Sequence, residues 1–456
     1  MLLSDARAAS ERAELGSDAV DIGDLVLVSV DDHVIEPRDM FEGRVPARYA
    51  DRAPRIETNE RGHEFWVYEG RVLPNIGLGA VAGRPNTEWG FEPARFDEMR
   101  SGCYVVDDRV RDMDIAGVMA SLCFPTFPTI SGALFTFHGD RDVSEVMVRA
   151  YNDWHLEDWA GAHPDRFIPM GILPLWDPAL AAGEVRRLAD RGCRAVTIPQ
   201  HINAYGQPPW QDPHWDPLWG ACVELGTVVN VHIGTGGGVA VPSDLTSYLA
   251  YNVMVANDTP RFASDLMFSR VIQHFPGLTI ALSEGGIGWI PFLLERLEDT
   301  YSRQRAWTGD DLGPGFTPTD VYRRNFVSCF IRDRFGIENR HHIGVETIAW
   351  ELDYPHSDSS WPDAPEQLLA QLAGCTDDEI DAICWRNAAR VFGYDAVDRL
   401  GRDACTVAAL RGGLDAVDLD APKVDAGRAP MAGQEPITYG DMKVRMASVL
   451  SGGVDG

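Results

Sequence analysis

The stretch Thr347-Ile-Ala-Trp-Glu-Leu-Asp353-Tyr-Pro-His356 is a strand-length apolar run that ends on an acid and an imidazole. The same pattern recurs upstream. Leu25–Val30 leads into Asp31-Asp-His33. Val-Val-Asn-Val stops on His232, and Leu-Thr-Ile-Ala-Leu-Ser stops on Glu284. Four strand-like runs thus carry metal-type side chains at their C-terminal ends. In a parallel barrel those ends converge on one face, where barrel enzymes place their active sites.

Eight such runs can be read along the chain: 25–30, 118–124, 167–175, 194–198, 228–233, 278–283, 326–330 and 347–352. Most are continuously apolar rather than alternating, as expected of strands covered on both faces. Helical patterns separate most of them, at 143–162, 178–191, 215–225, 260–274 and 289–301. Strand and helix alternating eight times predicts an α/β fold, a (β/α)8 TIM barrel. An open doubly wound sheet is the structural alternative. No glycine-rich phosphate loop follows the first run, which disfavours it.

The 456 residues suit one barrel with insertions. We expect an N-terminal extension over 1–22, a barrel over 23–398 and a tail over 399–456. The segment 34–115 is too long for a simple crossover and carries Phe65, Trp66, Tyr68, Trp89, Phe91 and Tyr104. It is expected to leave the C-terminal face, either as a lid over the site or as an insertion with a small core of its own. A second long loop, 200–214, holds His201 on the same face. The Ala-, Asp- and Gly-rich tail is expected to be flexible or to wrap a second subunit, most simply in a homodimer.

A net charge of −29 argues against nucleic acid or an anionic membrane as partner, because phosphate binding needs a basic surface. No run approaches the length of a membrane span, and the N-terminus lacks the apolar core of a signal peptide, so a cytoplasmic enzyme is expected. The eight cysteines form no Cys-x-x-Cys pair, and most lie in apolar segments such as Ser-Leu-Cys123-Phe, where they read as buried, inert thiols.

Taken singly, each candidate ligand has an ordinary explanation. Asp31 and His33 could be loop polar residues, His232 a core hydrogen-bonder and Asp353 a helix cap. Taken together they point to a metal. Asp31 and His33 are two apart, so both face one way on a strand. Gly-Thr-Gly-Gly-Gly follows His232 and lets backbone approach a bound group. Glu284 would be a costly buried carboxylate without a cation or donors. His201 could add a nitrogen, and His356 could contact substrate or steady the ligands.

Asp-Asp-His33-Val-Ile-Glu36-Pro, Val-His232-Ile-Gly, Glu284-Gly-Gly-Ile-Gly-Trp and Asp353-Tyr-Pro-His356 resemble, in this order, the amidohydrolase-2 family of the amidohydrolase superfamily. That family includes aminocarboxymuconate-semialdehyde decarboxylase. The resemblance covers about residues 25–395 and implies a distorted barrel with metal ligands at Asp31, His33, His232 and Asp353. It departs from the family at two positions. Asp31 stands where a His is usual, and Glu284 stands where the decarboxylases carry an acid/base His.

The result is a carboxylate-rich set: Asp31, Glu284 and Asp353 with His33 and His232. One or two divalent ions are expected, with iron favoured and zinc or manganese as alternatives. The set also resembles the nonheme di-iron monooxygenases built on an amidohydrolase barrel in bacterial diterpenoid biosynthesis. The sequence reading therefore leans to a metal-dependent hydroxylase of a small organic acid or acyl thioester. In that reading Glu284, Asp353 and His356 are catalytic. The alternative is nonoxidative decarboxylation or hydrolysis, with Glu284 shuttling a proton and Asp353 as ligand and base. A non-catalytic binding protein on a dead barrel is the remaining class.

Overall fold

The computed structural model describes residues 20–450 apart from 61, 74–75, 78, 87–88, 90–93, 138, 314, 415 and 421–435. Most of the expected N-terminal extension, Phe91 and part of the tail lie outside the described residues.

The chain opens with β1 (Val28–His33), followed by the antiparallel strands β2 (Arg55–Thr58), β3 (Glu64–Tyr68) and β4 (Arg71–Leu73). Seven further strands follow: β5 (Ala120–Phe124), β6 (Phe167–Ile168), β7 (Ala195–Thr197), β8 (Val228–His232), β9 (Thr279–Ser283), β10 (Phe326–Phe330) and β11 (Ile348–Trp350). Strand β1 pairs in parallel with β5, and β5 with β6; β7 through β11 pair in parallel in chain order. Hydrogen bonds join these two sheets at both seams. Gly171 bridges Val196 beside β6. On the other side the Asp353 amide donates to the Asp31 carbonyl at 2.8 Å, and the His33 amide to the Tyr354 carbonyl at 2.7 Å. All eight barrel strands overlap the runs read from sequence. The expected 167–175 strand is short, continuing only as the Gly171 bridge.

Strand alternation divides the apolar residues between two cores. Val28, Leu122, Phe124, Val228, Val327 and Ala349 belong to the barrel interior. Leu27, Val229, Val231, Ile280, Leu282 and Trp350 belong to the larger core shared with the helices. Each fully buried Val or Leu contributes about 1.5–3 kcal/mol, so the covering helices are held mainly by this second layer. Helix Pro178–Asp190 shows how the sequence sets one up. Asp177 accepts from the Ala179 and Leu180 amides, Pro178 sits in the first turn, and Ala181, Val185 and Leu188 are buried. The pattern expected as one helix over 260–274 is two, Asp258–Met267 and Arg270–His274. Ser269 makes the break by donating to the Leu266 carbonyl and accepting from the Val271 amide.

The 34–115 segment holds the β2–β4 sheet, and its last part is helix Val106–Ala116, an ordinary crossover. The lid expectation therefore concerns the residues before it. There Val81 and Ala82 donate amides to the Pro355 carbonyl, so the insertion is bonded to the loop that follows β11. Phe41 and Trp66 pack against Phe127, beyond the end of β5. The described tail packs back on its own chain. The Val407 amide donates to the Leu25 carbonyl, Arg411 bonds Ile115 and Glu366, and helix Tyr439–Leu450 rests near helix Tyr248–Ala256 with Tyr439 against Tyr251. Among the described residues, no helix is long and apolar enough to cross a membrane.

Candidate metal centre

A β-bulge aims the first two candidate ligands. In the β1–β5 register Ser29 faces Ser121 and Asp32 faces Cys123, so Val30 and Asp31 together oppose Leu122. Val30 stays in the interior, and the extra residue brings Asp31 and then His33 to the same side. Asp32 turns away from the interior. It accepts from the Ser121 and Ser29 hydroxyls and, at 2.9 Å, from the Tyr354 amide. The loop carrying Asp353 is thereby fixed to β1.

Glu284 and Asp353 both have φ of +57, the left-handed region that costs a side chain about 1–2 kcal/mol. Both follow barrel strands, at the end where the ligands gather. Strain of this kind persists where a site over-determines it.

Six of the seven residues singled out from sequence come together. His33 Nε2 lies 3.5 Å from Asp31 Oδ1 and 3.3 Å from Asp353 Oδ1. His232 Nε2 lies 3.6 Å from Asp31 Oδ2 and 3.1 Å from Glu284 Oε2. His356 Nδ1 is 3.0 Å from Asp353 Oδ1, and its ring lies 3.8 Å from that of His33. His201 is placed elsewhere, with Nε2 3.1 Å from Asp258 Oδ2. Asp31, His33 and Asp353 are wholly buried, and His232 nearly so, whereas the Glu284 side chain keeps 15 % of its surface exposed.

Burial and crowding set the charges. Asp31 is pushed well above the ordinary carboxylate range by burial and by the acids Glu351, Asp353, Glu284 and Asp32. Glu284 is raised by burial, with Asp353 adding to it. Burial would raise Asp353 too, but His356 and His33 beside it outweigh that and hold it below its usual value. Burial lowers His33, helped by His356, and takes His232 down to about 4.

Carboxylates outnumber the donors that could satisfy them, and many polar atoms of the cluster lack a well-aligned hydrogen bond. Both carboxylate oxygens of Asp31, both nitrogens of His33, Nε2 of His232 and Nε2 of His356 are buried without a well-aligned hydrogen bond, as are the Asp353 oxygens, whose near neighbours are the His33 and His356 nitrogens. Orphaned buried polar atoms are rare in folded proteins, and buried charges are paired or coordinate metals. Ligand atoms of Asp31, His33 and His232, and of His33, Asp353 and His356, each lie within 4.8 Å of one another. These donors fit a divalent ion. His232 Nδ1 is 2.7 Å from the Ile233 carbonyl, a contact that leaves Nε2 as the nitrogen facing the cluster.

Three supporting residues are not among the candidate site residues read from sequence. Arg109 is fully buried, donates to the Gly102 and His33 carbonyls, and stacks 4.4 Å over the Tyr354 ring. An arginine within the segment 34–115, expected as an insertion, gives no sequence signal for such a role. Glu36 accepts from the Thr126 and Phe127 amides and so orders the loop after β5. Glu351, two residues before Asp353, was legible by the spacing rule applied to Asp31 and His33. It is 1 % exposed and is raised by burial to about 8.

A cavity of about 420 Å³ lies outside the cluster, lined by Asp39, Met40, Glu42, Gly43, Arg44, Trp154 and Asp158. The convergent unpaired donors identify the candidate site better than this volume does, because they carry the chemistry.

Comparison with known proteins supplies a family. A family profile described as amidohydrolase matches residues 63–394. It begins after β1, so Asp31 and His33 lie outside the matched segment. A gamma-resorcylate decarboxylase from Rhizobium radiobacter is 25 % identical over 272 residues, covering 55 % of this chain and 77 % of the relative. An amidohydrolase structure from Mycobacterium avium subsp. paratuberculosis superposes with a TM-score of 0.63 at 22 % identity, over 81 % of this chain and 99 % of the other. A dihydroxybenzoic acid decarboxylase from Polaromonas sp. JS666, with manganese and 2-nitroresorcinol bound, gives a TM-score of 0.51 at 22 % identity, over 65 % and 88 %.

Proposed function

The chain belongs to the amidohydrolase family, and from that premise we propose that it is a metal-dependent nonoxidative decarboxylase of a small aromatic carboxylic acid. The observation that carries the reading is the buried, unpartnered set Asp31, His33, His232 and Asp353. The decarboxylase relatives supply the reaction class, and move the reading from the hydroxylase that the carboxylate content alone suggested to the nonoxidative alternative.

Asp31, His33, His232 and Asp353 would hold one divalent ion. Carboxylates with two imidazoles suit manganese, iron or zinc. When bound, such an ion polarises a substrate oxygen and binds the substrate's negative charge. The Glu284 side chain keeps 15 % of its surface exposed, which supports it as the proton donor of this reading. The ring carbon bearing the carboxylate takes that proton, the carbon–carbon bond breaks, and carbon dioxide leaves. Glu284 regains its proton from solvent. His356, 3.0 Å from Asp353, holds that carboxylate in place.

The test is turnover of a hydroxybenzoate panel by manganese- or zinc-reconstituted protein, with and without dioxygen. Release of carbon dioxide at equal rates in both gases, abolished by chelation, is the expected result. Turnover that needs dioxygen would restore the hydroxylase reading.

A further inference from the structure

One layer deeper in the barrel lies a second donor cluster that the reading above does not use. Cys329 on β10 pairs in register with Ala349 on β11, and both face the interior. Glu351 is two residues beyond Ala349 and so falls on the same side. Ligand atoms of Cys329, Glu351 and Asp31 lie within 4.8 Å of one another, and all three residues are buried. Glu351 Oε2 accepts from the Cys329 thiol and from the Glu284 amide, while Oε1 has no partner. Neither Asp31 oxygen has one. Among the described residues, these carboxylates have no Lys or Arg ion pair.

We propose that Asp31, Glu351 and Cys329 form a second cation subsite, sharing Asp31 with the candidate metal centre. This deepens the metal-centre reading and rests on Asp31 facing a metal there. The donors differ in kind between the two sites. The outer one offers imidazole and carboxylate, whereas the inner one adds a sulfur. Sulfur selects borderline-soft ions, so the inner subsite takes zinc, ferrous or cobaltous ions in preference to manganese or magnesium. On binding, the Cys329 thiol proton leaves to solvent together with the protons held by Glu351 and Asp31, and the thiolate and the two carboxylates become ligands. Two carboxylates and a thiolate, unfavourable together in an apolar interior, are then compensated by the ion.

The experiment is cobalt titration of chelator-stripped full-length protein, read by bound metal per chain and by near-ultraviolet absorption. A thiolate on cobalt gives a charge-transfer band that imidazole and carboxylate do not. The expected result is two ions per chain with that band. Cys329→Ser and Glu351→Gln should each bind one ion and lose the band, and Asp353→Ala should keep the band with a lowered count. One ion per chain without the band overturns the subsite and leaves the outer centre standing. One ion with a band that Asp353→Ala does not affect supports the subsite and overturns the outer centre instead.

Discussion

Replacing Asp31 with Asn should raise the stability of the metal-free protein while removing the protein's response to metal. Asp31 is wholly buried, both of its oxygens lack partners, and Glu351 lies within 4.8 Å of it. With an effective dielectric of about 20, two unit charges at that distance repel by about 3 kcal/mol. Keeping Asp31 protonated at neutral pH instead has a cost of the same order. Asn removes the charge but still buries an imperfectly paired amide, at about 1 kcal/mol. The net gain in the metal-free state is therefore about 2 kcal/mol. The assay is urea denaturation of wild type and Asp31→Asn, in chelator and in manganese. Wild type should gain about 2.7 kcal/mol at a metal concentration 100-fold above its dissociation constant, and the variant should gain little. A variant less stable than wild type in chelator, or one with a full metal response, would refute the view of Asp31 as a buried charge awaiting a cation.

Three further outcomes follow from the geometry. Arg109→Met should destabilise by about 3 kcal/mol in urea denaturation, because the Gly102 and His33 carbonyls lose their charged donor in a dry interior. Gly117→Ala should cost about 2 kcal/mol, since φ is +67 and the new Cβ would lie 2.8 Å from Val407 Cγ1; adding Val407→Ala should relieve the clash but not the backbone cost. His155 is buried without hydrogen-bond partners, and burial lowers it to about 4. The unfolded chain therefore takes up its proton first. Its contribution is fully present above about pH 6.5 and is lost as pH falls towards 4, about 3 kcal/mol in all; His155→Phe should flatten that part of the stability profile.

The barrel was legible because buried parallel strands announce themselves as apolar runs, and all eight were found. The candidate ligands are legible where a polar side chain closes such a run, as at His232 and Asp353. The β1 bulge was not, because nothing in Val-Ser-Val-Asp-Asp-His signals that two residues will oppose one, although the bulge decides which acid faces inward. His201 has the right residue type near the end of a strand, yet it turns to Asp258, a partner set by tertiary packing. Glu351 is less legible because it lies within the apolar run 347–352 rather than at its end. Cys329 reads as inert because its company in sequence is apolar, and only pairing across β10 and β11 shows what it faces. The tail's composition predicts a flexible or subunit-wrapping extension; in its described part Arg411 bonds the Ile115 carbonyl and the Val407 amide bonds the Leu25 carbonyl, contacts set by tertiary packing.

The most direct test of the metal centre is a crystal of the protein grown with manganese, with anomalous diffraction used to locate the ion. The predicted result is a peak in contact with Asp31, His33, His232 and Asp353. A peak elsewhere, or none at these residues when the crystal is saturated with manganese, would contradict it.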